Sequence, residues 1–221
     1  KDKIIYLAID KEPEGLIKKE NLELDPLSKR LNSLKRIEQS YNYMSKGIEQ
    51  ASEDDLIMLS DNDEIPNLSD FDFKKIHNNF IIFEQLFFYY KFNLLYDRMM
   101  WFGTKACKKK ILKNFSTLRN IKNKKYPFWR LDTIFSDIKQ RDVKIINNGG
   151  WHFTNLKTPE QMYEKFMNFG HHDEFRLSGI TVDKIREKII NKEMFYDHFA
   201  DKSSPNRWKS DYKLKLVDEK L

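Results

Sequence analysis

The chain has 221 residues, 40% hydrophobic and 14% aromatic, which is enough for one large domain with a sizeable core. Forty basic residues against 34 acidic leave +6, a mild excess that suits a phosphate-bearing ligand or an anionic surface. The single cysteine, Cys107, excludes an internal disulfide and any cysteine-clustered zinc or iron–sulfur site, and no apolar run approaches the ~18 residues of a membrane span.

The chain opens at Lys1 without a methionine and shows no secretory signal, so residues are expected to have been removed upstream. Residues 3 to 8, Lys-Ile-Ile-Tyr-Leu-Ala, read as a short buried strand, and the polar stretch 11 to 26 with Pro13, Gly15 and Pro26 reads as loop. From Leu27 a helical period runs through Leu31, Leu34, Ile37, Tyr41, Met44, Ile48 and Ala51, which predicts an amphipathic helix with these side chains on one face. Ser52-Glu53-Asp54-Asp55 stops it, and Leu56 to Leu59 form the next strand. Strand, helix and strand in this order predict a crossover unit in a parallel sheet, whose ligands gather outside the carboxyl ends of the strands.

A short helix is expected near Asp70 to His77, and one or two buried strands in the aromatic-dense stretch Phe80 to Phe92. Another strand is expected at Met100 to Gly103, followed by a basic, irregular region from Lys105 to Lys125. Val143 to Ile146 reads as a strand closed by Asn147-Asn148-Gly149-Gly150. Helices are predicted at Thr158 to Phe169, with Pro159 in the first turn, and at 181 to 193; the tail from Asp201 reads as irregular. With no repeat and no low-complexity linker, one domain over 1–221 is the expectation.

Three constellations carry chemistry. In "LSDNDEIP" a buried strand runs into Asp61, Asp63 and Glu64. Two aspartates one residue apart can share Mg²⁺ or Mn²⁺, which bind through one or two carboxylates plus substrate phosphates. The same Asp-Asn-Asp is also good turn chemistry. In "NNGGWHF" the glycines permit a tight turn or close ligand approach, Trp151 offers a flat face, and His152 a metal ligand or hydrogen bond. The alternative there is a glycine turn followed by a core tryptophan. In "FGHHDEF" adjacent histidines precede Asp173 and Glu174, giving either a base and a metal ligand or a solvated helix end. Arg130 and Asp132 follow the aromatic cluster "YPFW", which is expected in the core. The lysines of "KACKKK" and "NIKNKK" read as a solvated face, or as help in holding a nucleotide phosphate. No Walker loop, dinucleotide fingerprint, zinc-protease helix or nucleophile elbow is present, so triad hydrolysis has no support.

Together, "EDDLIMLSDNDEIP" with its preceding helix "RLNSLKRIEQSYNYMSKGI", "QLFFYYKFNLLYDRMMWFGTKACKKK", "INNGGWHFTNL" and "KFMNFGHHDEF" resemble glycosyltransferase family 17 from about Leu27 to Phe199. The family includes the enzyme adding the bisecting N-acetylglucosamine to N-glycans. The resemblance implies a GT-A-like α/β fold with a mostly parallel central sheet flanked by helices. The family's first nucleotide-binding strand is not found here and is expected upstream of residue 1. Also implied is metal-dependent, inverting transfer of N-acetylglucosamine or a related sugar from a UDP-sugar to a hydroxyl of an acceptor glycan. Asp61 and Asp63 then hold Mn²⁺ or Mg²⁺, with Asn62 and Glu64 beside the donor. Glu174 or Asp173 is the catalytic base, with Asp132 second. Gly150 and Trp151 approach a sugar or the uracil, His152 or His172 completes the metal shell, and Arg130 contacts phosphate. The extra histidine at His171 leaves the alignment of that segment open. The competing classes are a non-catalytic glycan-binding domain and, last, a basic nucleic-acid-binding protein; no nucleic-acid partner is expected. Abundant Lys, Asn and Ile with one cysteine place the expectation in a bacterial or viral cytoplasm rather than the Golgi lumen.

Overall fold

The computed structural model describes residues 4–18, 25–69, 71–169, 172–201 and 207–218. Lys3, Asp70 and His171, each part of an expected element or motif, and the tail residues 202–206 and 219–221 lie outside the described residues. The protein is mixed α/β. The chain divides into two compact units built from interleaved segments: residues 1–12, 37–86 and 100–152 form the first, and 13–36, 87–99 and 153–221 the second.

In the first unit, β1 (Leu56–Leu59), β5 (Trp101–Lys108), the first part of β3 (Phe80–Tyr89) and β6 (Val143–Ile146) lie side by side in that order. β1 pairs antiparallel with β5, and β5 antiparallel with β3; only β6 runs parallel to β3. β2 (Glu64–Pro66) forms a small antiparallel ladder with β7 (Gly150–Thr154). The sheet is therefore mixed, which corrects the mostly parallel expectation. That expectation rested on a first strand at residues 3 to 8, but residues 4–8 form no strand, and Ile4, Ile5 and Tyr6 are exposed. The return from β3 to β5 spans only residues 90–100, too short for the helical crossover a parallel neighbour requires.

β1 is apolar on both faces because both are covered. Ile57 and Leu59 pack with Ile82, Cys107, Phe115 and Leu118, while Leu56 and Met58 lie against Ile81, Phe83 and Ala106. The basic region expected to be irregular is instead ordered. β5 continues through Lys108, and α2 (Phe115–Asn120) follows, capped by Asn114 Oδ1 accepting from Thr117 N at 2.7 Å. The aromatic cluster Phe128-Trp129, expected in the core, is exposed at 80% and 65%. The short helix expected near residue 70 reduces to one 3₁₀ turn, Phe73–Lys75.

α1 (Pro26–Tyr43) departs from its pattern in an instructive way. Tyr41, Met44, Ile48 and Ala51, on and after its end, pack against the first unit's core, as the period predicts. Leu27, Leu31, Leu34 and Ile37 are exposed, and the buried positions near its start are Ser28 and Asn32. Asn32 pairs with the backbone of Ile17 through both amide atoms, at 2.8 and 2.9 Å, so a polar anchor is buried where apolar contact was expected.

The second unit has the end of β3, β4 (Leu94–Leu95) and β8 (Lys215–Leu216) in antiparallel order, with α3 (Pro159–Asn168), α4 (His172–Ser178) and α5 (Val182–Ile190). Pro159 sits in the first turn of α3, as the sequence predicts, and Thr158 and Gln161 form a reciprocal capping box across it. The core here is aromatic. Trp208 stacks on Phe195 with centroids 6.1 Å apart and meets Phe166 and Phe175 edge-on. The tail is thus not wholly irregular: Trp208 and Leu214 are buried.

Candidate functional site

The site is built where β1 ends. Ser60 closes the strand by hydrogen-bonding Thr104 at 2.7 Å, and the chain then turns through Asp61, exposed Asn62 and Asp63. The turn is locked reciprocally: Asp61 N donates to Glu64 Oε2 at 3.0 Å, and Glu64 N donates to Asp61 O at 3.0 Å. The three acidic residues therefore have different fates. Glu64 turns inward and is buried, while Asp61 and Asp63 keep about a third of their side chains exposed, 33% each.

Glu64 occupies a prepared slot. Trp101 Nε1 donates to its Oε1 at 2.8 Å, and Arg119 Nη1 lies 3.6 Å from the same oxygen. Gly103 makes the slot possible, since a Cβ there would stand 2.3 Å from Oε1 and 2.5 Å from the Trp101 indole nitrogen. Burial pushes the Glu64 carboxyl above its ordinary value, opposed by the hydrogen bonds from Trp101 and from Asp61 N.

Arg119 is the principal cation of this corner. Its Nη2 reaches Asp61 Oδ2 at 2.5 Å, and its Nε donates to Tyr41 Oη at 3.2 Å; that hydroxyl lies 3.4 Å from Asp61 Oδ1. Burial disfavours the guanidinium charge, but Asp61 and Glu64 more than restore it, leaving the group more basic than usual. α2 places Arg119 because Phe115 and Leu118 are buried on its other side. Lys105 fixes the helix end: its Nζ donates to the carbonyls of Arg119 and Ile121 at 2.5 and 2.8 Å. Burial, followed by the charge of Arg119, lowers the Lys105 ammonium to about 8.

The β2–β7 ladder brings the second constellation to the first. Glu64 stands opposite His152, Ile65 opposite Trp151, and Pro66 opposite Gly150. Gly150 adopts φ +124°, and a Cβ on it would lie 2.0 Å from Ile65 O, so only glycine fits this ladder. His152 is buried, stacks on Trp101 with centroids 4.3 Å apart, and points Nδ1 at Asp63 Oδ1 across 3.6 Å. Asp61, Asp63, Glu64 and His152 thus share one corner, with Asn62 on its turn; Gly150 and Trp151 lie on the same ladder, where Trp151 projects from the face opposite His152.

The remaining candidates lie elsewhere in their units. Asp132 is held by Arg130 at 2.7 and 2.8 Å and by Lys139 at 2.7 Å. Those two cations hold its carboxyl well below the usual range, which removes the proton affinity a base needs, and Arg130 is engaged by the same contact. In the second unit Asp173 and Glu174 open α4. Arg30 Nη2 bridges both at 3.1 Å, and Arg207 Nη1 reaches Glu174 at 3.0 Å. His172 is fully buried, neither ring nitrogen has a hydrogen-bond partner among the described residues, and burial, then the charge of Lys29, makes it less basic than an ordinary histidine. It belongs to the second unit's core and not to a metal shell in this conformation.

Tyr41, Trp101, Gly103, Lys105 and Arg119 have no signal as site residues in the sequence. Only the Trp-x-Gly spacing at 101–103 hints at a packed slot. Among the described residues no three His, Cys, Asp or Glu side chains gather as a metal cage. The donor chemistry fits a divalent ion in the other way such ions bind, through one or two carboxylates with substrate oxygens filling the shell. An ion bound here would draw on Asp61 and Asp63; Arg119 engages Asp61 Oδ2, and the Tyr41 hydroxyl lies 3.4 Å from Asp61 Oδ1.

Fold and site define a mixed α/β protein with an acidic strand exit braced by one arginine. Among protein-family models, curated proteins and solved structures, none matches the chain. Among the described residues no helix is long and apolar enough to cross a membrane.

Proposed function

We propose that this chain is a GT-A-like, metal-dependent inverting glycosyltransferase that moves N-acetylglucosamine or a related sugar from a UDP-sugar to a hydroxyl of an acceptor glycan. The observation that carries the reading is the β2–β7 ladder, which joins Asp61, Asp63 and Glu64 to Gly150, Trp151 and His152 at the end of β1. A Mn²⁺ or Mg²⁺ bound there would supply Lewis-acid stabilisation of the charge that builds on departing UDP. Asp61 and Asp63 would hold that ion; Glu64 braces the turn by accepting from Asp61 N, and His152 lies 3.6 Å from Asp63. In a single displacement the acceptor oxygen bonds to the anomeric carbon as the bond to the diphosphate breaks. The acceptor's proton passes to a carboxylate. The candidates for that role are Glu174 or Asp173, with Asp132 second; each is ion-paired, Asp173 and Glu174 to Arg30, Glu174 also to Arg207, and Asp132 to Arg130 and Lys139. Trp151 offers its face to a sugar or uracil. The setting that goes with this reading is a bacterial or viral cytoplasm.

The test is Asp63→Ala, read as UDP release with Mn²⁺ over a panel of acceptor sugars. At least a tenfold loss is expected; full metal-dependent turnover by the variant sinks the assignment. A second reading, a glycan-binding domain without turnover, is favoured by the grip of Arg119 on Asp61. It predicts glycan binding with no UDP release from the unaltered protein.

A further inference from the structure

Between β5 and β6 the chain carries a segment of the first unit that is dense in exposed apolar side chains. Phe128, Trp129, Leu131, Ile134 and Phe135 are exposed at 80%, 65%, 66%, 65% and 89%. Scattered exposed apolar side chains are ordinary, but five large ones within eight residues are not. Nor is the segment slack. Leu131–Thr133 make one 3₁₀ turn, the carboxylate of Asp132 is clamped by Arg130 and Lys139, and buried Thr133 donates its hydroxyl to Arg130 O at 2.6 Å. Arg141 Nη2 donates to the same carbonyl at 2.8 Å. The polar groups face one another and tie the loop down, while the apolar side chains are left pointing out.

The charge around them is net positive. Residues 122–141 hold six basic residues and two acidic ones, Asp132 and Asp137, and both acids are already in ion pairs, Asp137 with Lys113. Lys122, Lys124 and Lys125 are exposed immediately before the apolar group. Large aromatic and aliphatic side chains beside a lysine cluster match a surface that is apolar below and anionic above.

We propose that residues 122–141 seat this protein on an anionic lipid bilayer. The rings and branched chains of Phe128, Trp129, Leu131, Ile134 and Phe135 enter the boundary between headgroups and acyl chains, and Lys122, Lys124 and Lys125 face the lipid phosphates. A lipid surface suits this patch because it accepts bulky apolar groups without a shape-matched pocket and rewards the lysines at the same time. The inference stands without the transferase reading, since it uses neither the acidic corner nor its metal.

The test is co-sedimentation of the full chain with vesicles of phosphatidylcholine alone and with added phosphatidylserine. Binding to the anionic vesicles is expected, weaker on the neutral ones and weaker in high salt, where screening shortens the reach of the lysines. Trp129→Ser with Phe135→Ser should cut binding at least tenfold at an unchanged unfolding midpoint, because neither side chain is in the core. Lys124→Ala with Lys125→Ala should cost about fivefold for each lysine on anionic vesicles and little on neutral ones. Wild-type protein left in the supernatant with both vesicles overturns the proposal, as does undiminished binding by the serine variant. A dimer in solution that the serine variant abolishes also overturns it, by showing that a second copy covers the patch.

Discussion

Both units hold a pair of carboxylates on an arginine, and the two pairs are built differently. In the first, one guanidinium, Arg119, serves Asp61 and buried Glu64, while Asp63 stands beside His152. In the second, Asp173 and Glu174 share Arg30, and Glu174 has Arg207 as well; these side chains are 30% and 25% exposed. The second pair is matched arginine for carboxylate and is partly solvated. In the first, one of the two acids that Arg119 serves is desolvated, and the Lys105 ammonium adds positive charge nearby. Concentrated negative charge costs stability unless a cation serves it, and the chain has placed that cost at a strand exit, where sheet proteins bind ligands.

The widest separation between the two pairs should come from removing each arginine. Arg119→Met strands buried Glu64 and is expected to cost about 3 kcal/mol in denaturant unfolding. Arg30→Met leaves Arg207 in place at a partly exposed site and should cost below about 1 kcal/mol. Equal losses would break the comparison.

Gly103→Ala sharpens it from another side. The added methyl meets the Glu64 carboxylate and the Trp101 indole, so about 2 kcal/mol of destabilisation is expected, with quenching or shift of the tryptophan signal as Trp101 moves. A neutral outcome would mean that the slot around Glu64 is not rigid.

A smaller effect follows at Lys105. Lys105→Met leaves the carbonyls of Arg119 and Ile121 without their donor, for about 1–2 kcal/mol at neutral pH. In the unaltered protein the cost of burying this ammonium is fully present below about 8, its folded value. It is relieved as pH rises toward the ordinary 10.5, because there the unfolded chain holds more protons. The methionine variant should lose that rise in stability between the two values.

The finest test is the sign of the acid response in each unit. Glu64, raised by burial, makes the folded state bind more protons than the unfolded one just above the ordinary 4.5, so acidification through that window stabilises its surroundings. His198 in the second unit is lowered by burial to about 4 from 6.5, so its contribution is complete above 6.5 and is lost as pH falls toward 4. Hydrogen exchange resolved by segment should therefore show opposite trends around β2 and around residue 198, and His198→Phe should flatten the second. Parallel trends in both would contradict the assignment of these two groups.

Much of this architecture was readable in the sequence. The strand at 56–59, the aromatic strand from Phe80, the strand at 143–146, and the α3 and α5 helices, with Pro159 in the first turn of α3, all follow from local pattern. The two glycines ahead of Trp151 marked a close backbone approach, and Gly150 makes one. The α1 stripe misled because periodicity records which side chains share a face, not whether anything covers that face. β5 was read too short because Lys105 interrupts an otherwise strand-like run, and a lysine that buries its stem and donates to two helix-end carbonyls cannot be told from a solvated one by its letter.

The sequence by itself determined that an apolar strand ends in three carboxylates, that two glycines precede a tryptophan and a histidine, and that both features sit on short ordered elements. These are local facts, set by residue type and spacing. Only the tertiary structure decided that the two motifs are neighbours, that Glu64 goes in while Asp61 and Asp63 stay near the surface, and that Arg119 braces the corner. Strand register and helix docking join residues far apart in the chain, and the burial of a charge depends on partners that local pattern does not specify.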